Sequence, residues 1–251
     1  MQAKPAVQVF ERMFTLVDIL AKRSQALSLK ELSELADLHP STTHRIMNDL
    51  LLGRFVERSG HGTYRLGLRF LELGNLVKSR LDVREAALQP MRMLHDQLGQ
   101  PVSLSVRQGD SIVYIDRAYS ERSGMQVVRA IGGRAPLHLT SVGKLFLSLD
   151  SDIELKSYAE RTQLKGQTPN SLTSLEALKK ELKSVAKQHT AHDKEELELG
   201  VRCIASGIHN DRGELIAGLS ISAPTDRLKV EWLTPLQDTT AAISAALGYQ
   251  A

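Results

Sequence analysis

Residues 28–66 read SLKELSELADLHPSTTHRIMNDLLLGRFVERSGHGTYRL, and this stretch decides the first part of the fold. Ser28 with Glu31 three residues on is the capping-box pattern, in which each side chain satisfies the other residue's backbone amide. The helix it opens is expected to run to about Ala36, with Leu29, Leu32 and Leu35 inward. Asp37-Leu38-His39 breaks it, and Pro40 suits the next helix start because its missing N–H costs nothing there. That second helix, about Ser41 to Leu52, carries Ile46, Leu50 and Leu51 as its buried stripe. After Gly53, Phe55–Arg58 and Thr63–Leu66 flank Ser59-Gly60-His61-Gly62 and predict a β-hairpin. Upstream, Val7, Phe10, Phe14, Val17 and Leu20 recur at spacings of three or four and predict a helix over about 6–22. Helix, helix-turn-helix and hairpin in this order read as a winged helix-turn-helix domain over residues 1–67.

Such a fold places its second helix in the major groove of duplex DNA. The short hydroxyls of Ser41, Thr42 and Thr43 can approach phosphates and base edges at that helix start, and Arg45 can fork onto a guanine or grip a phosphate. Arg58, His61 and Arg65 on the wing are candidates for backbone or minor-groove contact, and Lys30 joins them from the preceding helix. The alternative is a small helical packing module that never touches nucleic acid. The order of the elements, the hydroxyl-rich second helix and the basic wing favour the former, and the charge split permits it: residues 1–80 carry a net +4 and residues 81–251 a net −1, within a total of +3.

The length of 251 residues favours two domains over one, and 42% hydrophobic with 24% charged residues describes an ordinary globular chain. No apolar run is long enough to cross a membrane, and the first residues, Met-Gln-Ala-Lys-Pro, do not read as a signal peptide. A single cysteine, Cys203, excludes an intrachain disulfide and a cysteine-rich zinc site. A cytoplasmic location is expected, with no membrane partner.

Leu66, Phe70, Leu73, Val77 and Leu81 approximate a heptad seam. This predicts a linker helix over 68–82, packed on its own domain or on a second copy. A twofold dimer would read a palindrome-like site. Residues 83–251 read as an α+β domain on an antiparallel sheet. Its expected strands are Val102–Val106, Ser111–Ile115, Met125–Val128, Val201–Ile208 and Glu214–Ser222. Its expected helices are Val83–Leu98, Ser141–Leu149, 152–160, 174–189 and Asp226–Leu247. Three features here suit a small-molecule pocket. Amides near Ser141, Val142 and Gly143 open a helix and favour an anion, unless Thr140 is an ordinary cap with water on the rest. Gly218, Ser220 and Ser222 make a small polar strand face opposite Leu215, Ala217, Leu219 and Ile221, which could equally face solvent. Cys203 aligns with Val201 and Ala205, and a lone buried cysteine is otherwise a small hydrophobe.

The blocks LKELSELADLHPSTTHRIMNDL (29–50), YRLGLRFLELG (64–74), GGRAPLHLTSVGK (132–144) and DKEELELGVRCIASGIHNDRGELIAGLSISAP (193–224) resemble the IclR family of bacterial transcriptional regulators, across nearly the whole chain. The resemblance implies a winged helix-turn-helix, a linker helix and a GAF-like effector-binding domain. It also implies helix-opening amides at Ser141 and Val142, polar effector contacts at Asp193, Cys203, Ser220 and Ser222, and an apolar wall at Gly124 and Val127. Gly124 offers no side chain and Ser141 adds a hydroxyl, which alters the site against its relatives. Small organic, aromatic or sugar acids are the implied effectors. Because Asp193 would repel a bare carboxylate, the ligand is expected to present a hydroxyl as well, or a water or proton to intervene.

The reading is a repressor of a catabolic operon, a homodimer or homotetramer on a double-stranded operator, controlled by a carboxylic-acid effector. It is not an enzyme and needs no cofactor or metal. An activator of the same family is the alternative. A cysteine-dependent enzyme with Cys203 as nucleophile and His138, His209 or Asp193 as base is the remote one, because no motif fixes such a pair. His189, His192 and Asp193 are close in sequence but lack tight metal-ligand spacing.

Overall fold

The computed structural model describes residues 7–23, 25–78, 82–119 and 130–250. The chain divides into two compact units, residues 1–80 and 81–251.

The first unit begins with α1 (Gln8–Ala21), β1 (Leu27–Ser28), α2 (Leu29–Ala36) and α3 (Pro40–Leu52). It continues through β2 (Val56–Ser59), β3 (Thr63–Leu66) and α4 (Arg69–Lys78). The capping box forms: the Glu31 amide donates to Ser28 Oγ and the Ser28 amide to Glu31 Oε2 at 2.8 Å. Asp37, in the left-handed region at φ 51°, stops α2. The three strands form an antiparallel sheet in the order β1-β3-β2, with β2–β3 as the wing hairpin. Leu16, Leu20, Leu32, Ile46, Met47, Leu50, Val56 and Tyr64 make the core.

Local pattern misassigned some faces. Val7, Phe10 and Phe14 lie exposed, Phe10 stacked on Phe14 at 6.3 Å, while Leu16 and Leu20 enter the core. Helix α1 has two adjoining apolar stripes, and spacings of three and four fit both. Leu35 is exposed for the same reason, at the edge of the stripe headed by Leu32. Leu66 belongs to β3, paired with Val56, so it cannot open a helical seam. Phe70 packs edge-on against Phe55 at 5.2 Å within this unit, and Leu81 lies outside the described residues. Gly67 has to be glycine, because a Cβ there would collide with the Arg54 carbonyl.

The second unit opens with α5 (Asp82–Leu98), β4 (Val102–Gln108), β5 (Ser111–Ala118), β6 (Arg134–Pro136) and, after a 3₁₀ turn, α6 (Ser141–Leu147). Helices α7 (Asp152–Thr162) and α8 (Leu175–Gln188) follow, then β7 (Thr190–Lys194), β8 (Val201–His209), β9 (Leu215–Pro224) and α9 (Leu233–Ala246). Gly99, at φ +64°, ends α5 ahead of Pro101. The antiparallel sheet runs β6-β5-β4-β9-β8-β7. Met91 and Leu94 of α5 and Leu236 and Ile243 of α9 cover one face through Leu104, Ile204, Leu219 and Ile221. On the other side Val142, Leu145, Tyr158, Leu178 and Leu182 of α6–α8 pack with Ile112, Ala191 and Ala205. The fold is therefore α+β, as expected.

Helix α9 starts seven residues later than expected. Pro235 cannot donate to residue 231 and its ring crowds that carbonyl, so the helix cannot extend far upstream of it. Leu215 leaves the apolar face of β9, because the β8–β9 register shifts between Ile208 and His209, and it joins the α6 side instead. The strand expected at Met125–Val128 lies outside the described residues.

Candidate functional site

In α3, Thr43, Ile46, Met47 and Leu50 face the core, which turns Ser41, His44 and Arg45 outward with half-buried Asn48 beside them. His39 caps this helix, its Nδ1 accepting from the Ser41 amide at 3.3 Å and standing 2.8 Å from Ser41 Oγ. Thr43 has to be removed from the DNA candidates. It is fully buried and its hydroxyl donates back to the His39 carbonyl at 3.4 Å. Thr42 is half-buried. Sequence reasoning passed over His44 and Asn48, whose side chains meet at 3.3 Å one turn apart on the exposed side. The signal was present, because 44 and 48 lie opposite the core positions.

On the wing, Arg58 is exposed, stacks over the Tyr64 ring at 5.7 Å and has no carboxylate partner among the described residues. Arg65 bonds Glu57 at 2.5 Å. The side chain of His61 lies outside the description. Lys30 is exposed and 3.9 Å from Glu34.

In the second unit, residues paired across antiparallel strands share a face. Asp193 pairs with Cys203 and Cys203 with Ser222, forming one cross-strand row on β7, β8 and β9. The next row runs Ala191, Ala205, Ser220, Ser103 and Arg117. A third holds Gly207, Gly218, Ser105 and Tyr114. The sheet thus presents a floor of small and polar side chains. Asp193, Cys203, Ser220 and Ser222 are brought together on it. Gly124 and Val127 lie outside the described residues.

Helix α6 sits over one end of this floor. Its Val142 is buried, and a Cβ on Gly218 would lie 2.6 Å from Val142 Cγ1, so its side chain packs down onto the sheet. Ser141 is buried at the helix start. Of the two readings of this helix start, the cap is the one found for Gly143: Thr140 Oγ1 accepts from its amide at 3.1 Å.

The acidic end of the floor is a buried network. Asp193 Oδ1 accepts from the Glu196 amide at 2.8 Å. Burial, with the Glu196 charge adding to it, raises the Asp193 pKa to about 7, against the pull of the Glu196 amide and Lys144. Lys144 is fully buried and bonds both Glu196 carboxylate oxygens, at 2.6 and 2.8 Å. The sequence reading missed this pair, whose members are 52 residues apart. Cys203 Sγ lies 3.2 Å from Ser222 Oγ; burial and the nearby Asp193 charge push its thiol pKa up, away from nucleophilic thiolate. The two imidazoles considered as its base have other partners: His138 bonds Tyr158 at 2.7 Å and His209 stacks on Tyr249 at 5.2 Å. Among the described residues no group of three or more His, Cys, Asp or Glu is arranged to hold a metal ion. No described helix is long and apolar enough to cross a membrane.

Comparison with known proteins agrees with this architecture. Residues 9–60 match the IclR helix-turn-helix domain, and residues 76–246 match the bacterial transcriptional regulator IclR C-terminal domain. The HTH-type transcriptional regulator XynR of Escherichia coli is 32% identical over 98% of this chain and 100% of its own. The DNA-binding transcriptional repressor YiaJ of the same organism is 34% identical over 93% and 86%. The crystal structure of an IclR homolog from Microbacterium hydrocarbonoxydans, complexed with 4-hydroxybenzoate, superposes with a TM-score of 0.84 at 22% identity, covering 95% of this chain and 98% of that one. A two-unit chain with a winged helix-turn-helix ahead of a curled antiparallel sheet, matched by both domain families along most of its length, belongs to the IclR family of DNA-binding bacterial transcriptional regulators.

Proposed function

We propose that this regulator represses a catabolic operon in the cytoplasm and releases its operator when a small carboxylic acid binds the second unit. The observation that carries the DNA half is the outward side of α3, where Ser41, His44, Arg45 and Asn48 stand opposite Ile46, Met47 and Leu50. Arg45 suits a guanine edge, Asn48 an adenine edge, and Ser41 with half-buried Thr42 a phosphate. Arg58, Arg65, Lys30 and His61 add sequence-independent grip. A homodimer or homotetramer supplies two such helices to a palindrome-like site. The repressor sign is supported by the relative named as a repressor.

The effector half rests on the floor around Asp193, Cys203, Ser220 and Ser222, with Ser141 and Val142 at its edge; Gly124 and Val127 are assigned by family resemblance. The homolog complexed with 4-hydroxybenzoate supports an acid ligand. Coupling requires that the acid bind the DNA-competent and DNA-incompetent states unequally. Linker segment 68–82 is the element assigned to carry it.

Selection from random duplexes, followed by mobility shifts with added acids, tests this reading. Enrichment of an inverted repeat whose complex is dissolved by an acid is the expected result. Failure to enrich any sequence overturns it.

A further inference from the structure

On the outward side of α3, the side-chain hydrogen bond that Asn48 makes among the described residues is to an imidazole. His44 lies exposed one turn earlier, and Asn48 Nδ2 donates to its Nδ1 at 3.3 Å. An amide nitrogen only donates, so Nδ1 is the acceptor and the ring's hydrogen sits on Nε2. The bond therefore fixes two things at once. It spends one N–H of Asn48 and leaves the other beside Oδ1, and it makes the opposite edge of His44 a donor.

An asparagine left to itself holds no such orientation. Its last torsion is broad, its oxygen and nitrogen ends are alike in shape, and in a helix it is drawn to nearby backbone groups. Adenine in the major groove offers N7 as an acceptor and its amino group as a donor, so it takes one N–H and one oxygen side by side. A flipped amide reverses their order. Opposite the lone pair of Nδ1 only the NH2 end fits, because Oδ1 there would set two lone pairs face to face. The other outward side chains do not serve: the Ser41 hydroxyl is 2.8 Å from His39 Nδ1, and the Arg45 guanidinium has no acceptor.

We propose that His44 is the positioning residue of base recognition: its Nδ1 sets the Asn48 amide for adenine, and an oxygen acceptor on the duplex, bonded by its Nε2–H, locks that setting. This rests on the reading of Asn48 as an adenine contact and adds which residue decides the preference. The two contacts act as a unit. A bond at Nε2 keeps the hydrogen there, which keeps Nδ1 open to Asn48.

Selection with the full chain, followed by mobility shifts on duplexes carrying each of the four bases at every position of the enriched half-site, tests it. At the position that Asn48→Ala levels, the wild type is expected to prefer adenine by about ten- to hundredfold. His44→Phe removes the acceptor and is expected to bring that preference below about threefold with Asn48 still in place. His44→Asn, whose Oδ1 stands close to the place of Nδ1, is expected to keep most of it. With Asn48→Ala already present, His44→Phe is expected to change nothing further at that position. Thermal melts confirm that each variant folds, and His44→Ala replaces His44→Phe if the latter does not. A His44→Phe protein that binds every duplex more weakly but keeps the adenine preference overturns the proposal and leaves Asn48 as the reader. Equal loss in His44→Asn and His44→Phe overturns the role of the acceptor. A wild type with no adenine preference that Asn48→Ala removes sinks the Asn48 reading and this inference with it.

Discussion

Asp193 carries the clearest pH signature in the molecule. Its pKa is about 7 in the folded protein against an ordinary value of 3.8, with burial as the first cause. The folded state then holds a proton that the unfolded state has lost. This contribution to stability is fully present below about pH 4 and is lost as pH rises through about 7. Asp193→Asn keeps an acceptor for the Glu196 amide and removes the titration. We expect it to melt roughly 5 °C above the wild type at pH 8 and within a degree of it at pH 4. Equal differences at the two pH values would show that Asp193 titrates normally. Single residues were unevenly legible. The run Ser41-Thr42-Thr43 looks uniform as text, yet consecutive helical residues point 100° apart, so Thr43 turns inward while Ser41 stays out. Lys144 drew no notice, because what distinguishes it is its partner in the fold, Glu196.

At the scale of elements, the contact that seats α6 on the sheet depends on one missing side chain. A methyl group at 218 would come within 2.6 Å of Val142 Cγ1, and Val142 is itself buried. Gly218→Ala is expected to cost about 1–3 kcal/mol in urea denaturation, as overpacked cores do, and to weaken ligand binding with it. An unchanged midpoint would show that α6 shifts freely. Helices and long strands were readable because their signals are local: the capping box of α2, Pro40 at the head of α3, Gly99 after α5. Strand β7, TAHDK, shows no apolar alternation and is held by its pairing with β8. It was missed, although it carries Asp193. The start of α9 depended on where Pro235 lies within the first turn.

For the whole molecule, the charge division separates two kinds of contact with DNA. Arg58→Ala is expected to weaken binding to every duplex alike and to lower the slope of log K against log salt by about 1. Asn48→Ala is expected to leave that slope unchanged and to flatten the base preference at one position per half-site, costing about 1–3 kcal/mol there. Mobility shifts over a salt series, with selection repeated on each variant, distinguish them. A uniform loss for Asn48→Ala would move it from base to backbone contact. Linkage adds a constraint on the intact protein: the factor by which effector lowers operator affinity must equal the factor by which operator lowers effector affinity.

What the amino-acid order determined unaided is the series of helices and turns, the basic head and near-neutral body, and the family to which the whole belongs. The elements and the charge split follow from periodicity, capping and charge, which act between residues a few positions apart or sum over a segment; the family follows from the resemblance of four blocks of sequence. Which hydroxyls of α3 lie exposed was decided by how that helix packs on its core, and which carboxyl keeps its proton only when distant strands came into register. Burial and pairing act through space, and Asp193, Cys203, Ser222 and Arg117 become one surface only after β7, β8, β9, β4 and β5 lie side by side.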